Sequence, residues 1–147
     1  MLDRAAAQTD AAQRARSIRI AILAMGGEGG GVLADWIIDL AEHRDYLAQL
    51  TSVPGVAQRT GATIYYLELF PTSALATGAP EPVLALIPMP GDVDIVIASE
   101  LMEAGRAVQR GLVTPDRTTL IASTHRVFTM IERIALADGR IDAPVLL

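Results

Sequence analysis

Ile18 to Met25 reads IRIAILAM, a continuous apolar run of the kind a strand carries when both of its faces are buried. Gly26-Gly27-Glu28-Gly29-Gly30-Gly31 follows. Val32, Leu33, Trp36, Ile37, Leu40 and Ala41 then recur at helical spacing, with Asp35, Asp39 and Glu42 assigned to another face. The opening therefore predicts a strand, a glycine-rich turn and a helix. Leu47 to Val53 predicts a second, weaker strand stopped by Pro54-Gly55, and Val56 to Gly61 a loop or a single helical turn. Ala62 to Phe70 (ATIYYLELF) is rich in β-branched and aromatic residues and predicts a strand.

A polar connection from Pro71 to Pro82 leads to a short predicted strand at Val83 to Ile87, which Pro88 and Pro90 end. Val93 to Ala98 (VDIVIA) is another buried-strand pattern. Ser99 is the predicted N-cap of the next helix, with Glu100 and Glu103 near its positive end. That helix carries Leu101, Ala104 and Val108 and stops at Gly111. Thr118 to Ser123 predicts the last strand and Phe128 to Leu136 a helix. Strands that alternate with helices define an α/β class: a three-layer domain with a mostly parallel sheet. Residues 1–17 are expected to be a tail or short helix, and residues 18–147 one domain. Asp142 and Pro144 suit the start of a further helix, so the domain is expected to be cut short at its C-terminal end.

Composition narrows the chemistry. The chain has 147 residues, 51% apolar and 20% charged, which is enough for one packed core. Its net charge of -5 leaves no excess of positive charge for phosphate backbones, so no nucleic acid is expected as a partner. No apolar run approaches the roughly 18 residues of a membrane span, and the N-terminus lacks the apolar core of a secretory signal. A cytoplasmic protein with no membrane partner is the expectation. All 12 bases are Arg, which removes lysine chemistry. With no Cys there is no thiolate nucleophile and no cysteine-ligated cluster, and with only His43 and His125 there is no histidine-rich metal pattern.

A glycine-rich turn between a buried strand and a helix is a physical anion site. Gly29-x-Gly31-x-x-Ala34 fits the loose dinucleotide pattern of Rossmann-like domains. However, no acid stands near Leu50 to Ser52 to hold a ribose, and Glu28 puts a carboxylate where it would repel a pyrophosphate. The alternative is a tight turn that lets the first helix pack closely on the sheet. The C-terminal ends of the predicted strands carry four clusters, Gly26 to Gly31, Ser52 to Arg59, Ser99-Glu100 and Ser123 to Arg126. Arg59 and Arg126 approach a common rim, either as anion ligands or as salt-bridge and subunit contacts. His125 has the pKa range of a base, yet no nucleophile with a partnered acid accompanies it, and a structural or interface role is the alternative.

Four segments, AILAMGGEGGGVLADWI, TSVPGVAQRTGATIYYLELFP, DVDIVIASELMEAGRAV and LIASTHRVFT, resemble in order and spacing the gamma-type domain of the 2-oxoacid–ferredoxin oxidoreductases. Within that family they look most like the beta subunit of the indolepyruvate type. The resemblance covers roughly Ile18 to Arg140, and its most specific elements are the glycine loop and PGVAQRTG. It implies a complex that oxidatively decarboxylates aryl 2-oxoacids, passes electrons to ferredoxin and forms an acyl-coenzyme A. Thiamine diphosphate and iron–sulfur clusters would sit on a partner subunit or domain, with no cofactor bound by this chain alone and no catalytic residue in it. The chain would support assembly and the approach of coenzyme A. The candidate cofactor-facing residues are then Gly26, Gly27, Gly29, Gly30, Gly31, Arg59, Thr60, Gly61, Ser123, His125 and Arg126. Glu28 departs from the Gln that many gamma-type domains carry. The alternatives are a free-standing nucleotide- or coenzyme-binding module and a small α/β enzyme that uses His125.

Overall fold

The structure, a computed structural model, describes residues 16–54, 62–75, 77–78, 80–128 and 133–134. Its elements are β1 (Ile18–Met25), α1 (Gly30–Glu42), β2 (Tyr46–Pro54), β3 (Ala62–Pro71), a 3-10 turn at Thr72–Ala74, β4 (Ile95–Ala98), α2 (Leu101–Gln109) and β5 (Thr119–Ala122). The loop expected at Val56 to Gly61, the helix end near Leu136 and the Asp142-Pro144 helix start lie outside the described residues, as does nearly all of the 1–17 tail.

The five strands form one sheet in the order β2-β3-β1-β4-β5. The continuous apolar run places β1 at its centre. Ile20, Ile22 and Ala24 face α1 and pack with Ala34, Ala41, Leu67 and Leu69. Ala21 and Leu23 face the other way, into a cluster with Val93, Val96, Ala107 and Leu112. Helices therefore cover both faces, and the three-layer α/β class holds. The sheet itself is mixed. β1 pairs in parallel with β4, and β4 with β5, whereas β3 runs antiparallel to both β1 and β2. Four strands thus point one way and β3 alone runs back.

Three local expectations change. Val83 to Ile87 is not a strand. It is irregular backbone tied to the sheet by side chains: Gln49 Nε2 donates to the Ala85 carbonyl at 2.9 Å and Thr51 Oγ1 to that of Leu86 at 2.7 Å. With prolines on both sides, this stretch finds its partners on polar side chains of β2 instead of in a ladder. Val108 does not belong to the apolar side of α2. It is exposed, and Ala107 takes the buried position. In α1 the sheet buries only the arc that holds Ala34 and Ala41, with Leu33, Ile37 and Ile38 packed beside them. Val32, Trp36 and Leu40 share the solvent side with Asp35, Asp39 and Glu42.

Charged residues organise the edge of the sheet where β1 and β4 begin. Glu68 on β3 is almost fully buried and accepts from Arg19 Nε at 3.0 Å and from the Ala85 amide at 2.6 Å. Arg19 also pairs with Asp92, and Arg117 bridges Asp92 and Asp94. Desolvation pushes the Asp92 carboxyl up, but the hydrogen bond from Arg117 and the charges of Arg19 and Arg117 outweigh it, so its pKa lies below the usual value. An isolated buried carboxylate would cost several kcal/mol, and this network is what makes Glu68 tolerable.

Candidate functional site

Because β1, β2, β4 and β5 point the same way, their C-terminal ends meet at one rim, and β3 begins there: Met25 pairs with Ala62 and Pro54 with Thr63. The rim expected from the strand ends is therefore present. Arg59, Thr60 and Gly61 lie outside the described residues, although both flanks of their segment, Pro54 and Ala62, are at the rim. Gly26, Gly27, Gly29, Gly30 and Gly31 sit at the end of β1, and Ser123, His125 and Arg126 beyond the end of β5.

The glycines of the turn serve two different needs. Gly27 and Gly29 adopt φ of 87° and 76°, a region that disfavours other residues, and have open space where a side chain would project. Gly30 is needed for contact instead: a Cβ there would lie 2.4 Å from Ala24 Cβ and 2.9 Å from Tyr65 Cε2. At Gly31 an added Cβ would lie 3.4 Å from Cε1 of the same ring, an ordinary van der Waals contact. The tight-turn alternative accounts for Gly30, whose missing side chain brings the start of α1 down onto β1 and β3. The helix begins with Gly29 as N-cap, without a side-chain cap and without an acid in its first turn.

Glu28 does something the sequence reading did not foresee. Its carboxylate folds back over the turn, accepts from the Met25 amide at 2.9 Å and from the Ser99 hydroxyl, and so links the β1–α1 turn to the β4–α2 turn. The loop thus already holds an internal anion. Ser99 is not the N-cap of α2. Its amide donates to the Leu23 carbonyl at 3.0 Å, which keeps it in line with the sheet. Glu100 is the N-cap and accepts from the Glu103 amide at 3.1 Å.

Glu100 is also the residue that holds the far side of the rim. It is buried, and its second carboxylate oxygen accepts from the Val127 amide at 3.0 Å, while the Leu101 amide donates to the His125 carbonyl at 2.9 Å. The segment that carries Ser123, His125 and Arg126 is thereby fixed against the N-terminus of α2. The His125 amide donates to Ser123 Oγ at 3.1 Å, and the Arg126 guanidinium lies 5.1 Å from the centre of the Phe128 ring. The sequence signal for Glu100 was available in the Glu100-x-x-Glu103 spacing, one residue later than the cap assigned to Ser99. Ser123, Thr124 and His125 are exposed. Among the described residues, no group of three His, Asp or Glu side chains comes together as metal ligands. Among them also, no helix is long and apolar enough to cross a membrane.

No family model matches the sequence, and no curated protein matches it. Among solved structures the chain is similar to pyruvate oxidoreductase subunit PORC from Thermotoga maritima, with 16% sequence identity and a TM-score of 0.48 over 80% of this chain and 56% of that one. The chain thus spans a little over half the length of that protein. The α/β class stands on the elements described above.

Proposed function

We propose that the chain is a non-catalytic subunit domain of a 2-oxoacid–ferredoxin oxidoreductase, and within that class the counterpart of the beta subunit of an indolepyruvate enzyme. The observation that carries this reading is convergence. The glycine turn, the β4–α2 turn and the Ser123 to Arg126 segment, which bear the resemblance in sequence, lie on one rim, with the flanks of PGVAQRTG beside them. The rim's buried carboxylate is used in capping α2 and its loop carboxylate in linking two turns, which supports a presenting surface over a reaction centre. Thiamine diphosphate and iron–sulfur chemistry would come from a partner subunit, with ferredoxin reached through the complex.

The glycine turn is a poor fit for the pyrophosphate of coenzyme A. Gly30 is taken up by packing, and Glu28 brings a negative charge to the loop. The part of the rim better suited to an anion is the Ser123 to Arg126 segment, with its guanidinium and hydroxyls. The same loop argument disfavours a free-standing nucleotide-binding module, which would take up NAD by itself at micromolar concentration in a calorimetric titration.

Co-expression with a thiamine-binding, cysteine-rich subunit tests the reading. The two chains should copurify, and indolepyruvate oxidation with coenzyme A and an artificial electron acceptor should require both. Turnover by this chain alone, or failure of every such subunit to associate with it, would refute the proposal.

A further inference from the structure

Helix α1 presents two different halves to solvent. Val32, Trp36 and Leu40 recur every fourth residue and form one stripe, exposed by 52%, 69% and 58%. Asp35, Asp39 and Glu42 form a parallel stripe beside it and are also exposed. The helix, GGVLADWIIDLAE, contains no basic residue; the imidazole of His43 at its C-cap, 3.5 Å from Asp39 Oδ1, sets one titratable group against three carboxylates, so the row stays acidic. Single exposed apolar side chains are ordinary on a protein surface, but a contiguous stripe centred on a tryptophan is not. Tryptophan and arginine are the residues that most often anchor protein interfaces.

We infer that this face of α1 is a docking surface for an arginine-bearing apolar segment of a partner protein. The stripe from Val32 to Leu40 is about 12 Å long, which matches roughly two turns of a partner helix. An apolar side chain of the partner covers Trp36. Its arginines fork onto the carboxylates of Asp35 and Asp39 and reach the edge of the indole face, where a guanidinium is held twice. An acidic partner is rejected by the same row. The surface lies on a helix flank and not in the strand-end rim, so the inference stands whether or not the oxidoreductase reading does.

Trp36 is the only tryptophan in the chain, so its fluorescence reports this surface without labelling. The probe is a synthetic, tryptophan-free amphipathic helical peptide with leucines on one face and arginines flanking them. A second peptide has glutamates in place of the arginines. The free chain should emit as an exposed indole at all protein concentrations. The arginine peptide should shift the emission to the blue and bind about tenfold tighter than the glutamate peptide, as two exposed ion pairs would give. High salt should erase that difference. The double substitution Asp35→Arg, Asp39→Arg, which touches only exposed positions, should reverse the preference while circular dichroism stays unchanged. No shift with the arginine peptide, or equal binding of the two peptides, overturns the inference. Emission already blue in the free chain overturns it as well, and its dependence on concentration then tells a second copy of the chain from a cover within one chain.

Discussion

Gly30→Ala adds one methyl group at the first residue of α1, and its consequence can be worked from two distances. The new carbon would lie 2.4 Å from Ala24 Cβ and 2.9 Å from Tyr65 Cε2, against a comfortable carbon–carbon separation of about 3.5–4.0 Å. The tyrosine ring can tilt. Ala24 Cβ cannot, because it is fixed to the central strand, so the start of α1 must lift from the sheet by roughly 1 Å. That loosens the packing of Ala34, which is fully buried one turn further on. Overpacking of this kind costs about 1–3 kcal/mol. Alanine's better helix propensity returns less than about 1 kcal/mol, since the position is terminal. The expected net loss is about 2 kcal/mol, read as a lower urea midpoint with an unchanged slope and a Tm lowered by roughly 5–10 °C. Gly105→Ala is the matched control: it lies within α2 with nothing within 4 Å of the added carbon, and should stabilise the chain by about 0.5–1 kcal/mol. In the background of Gly30→Ala, the change Ala24→Gly should recover about half of the loss through a double-mutant cycle. A Gly30→Ala variant as stable as the parent, or a cycle with no coupling between the two sites, would refute the close approach of helix and strand.

Glu68→Ala should cost about 2–3 kcal/mol in urea melts, since it leaves the Ala85 amide unpaired and Arg19 with Asp92 alone; a loss below about 0.5 kcal/mol would mean that Glu68 is not the anchor of the network. Burial, reinforced by the charge of Glu68, pushes the Tyr66 phenol up to about 12. Its neutral form therefore contributes stability that is complete below its unfolded pKa of about 10 and is lost as pH rises toward 12, so Tyr66→Phe should flatten the alkaline fall in urea midpoint over that window. An unchanged alkaline slope in Tyr66→Phe would contradict this. Glu100→Ala removes the α2 cap and the Val127 acceptor together and should lose about 2–3 kcal/mol, whereas Glu100→Gln keeps one carbonyl oxygen and should lose about half as much; equal losses in the two variants would show that only the charge matters.

Much of the architecture is legible in the pattern of apolar residues. IRIAILAM is apolar on both faces because α1 and α2 cover both faces of β1. ATIYYLELF forms a strand whose partners lie on either side. What periodicity does not carry is strand direction. Only residues 55–61 separate β2 from β3, too few for the crossover of a dozen or more residues that a parallel pair requires, so the reversal of β3 was readable from spacing even though alternation alone concealed it. The apolar positions of α1 exceed what one sheet face can cover, which is why a single-stripe reading merged Trp36 with the buried residues. Glu28 was legible as a charge in a loop, but not as a ligand of Ser99, because that contact joins two turns 71 residues apart.

The two edges of the sheet put the same chemical groups to different use. Where β1 and β4 begin, Arg19 and Arg117 meet Glu68, Asp92 and Asp94, and the charges close on one another. Such a network stabilises the fold and leaves little with which to recognise a ligand. At the opposite edge the carboxylates of Glu28 and Glu100 take their hydrogen bonds from amides and a hydroxyl, with no arginine among the donors described for them. Amide donors fix a carboxylate in place without cancelling its charge. Of the two, Glu28 is exposed and keeps its oriented negative charge at the surface of the rim, whereas Glu100 is buried beneath the segment that carries His125 and Arg126. A carboxylate held in place within the loop opposes a small anion at the glycine turn by like-charge repulsion, so that turn is set by packing and by its own internal hydrogen bonds.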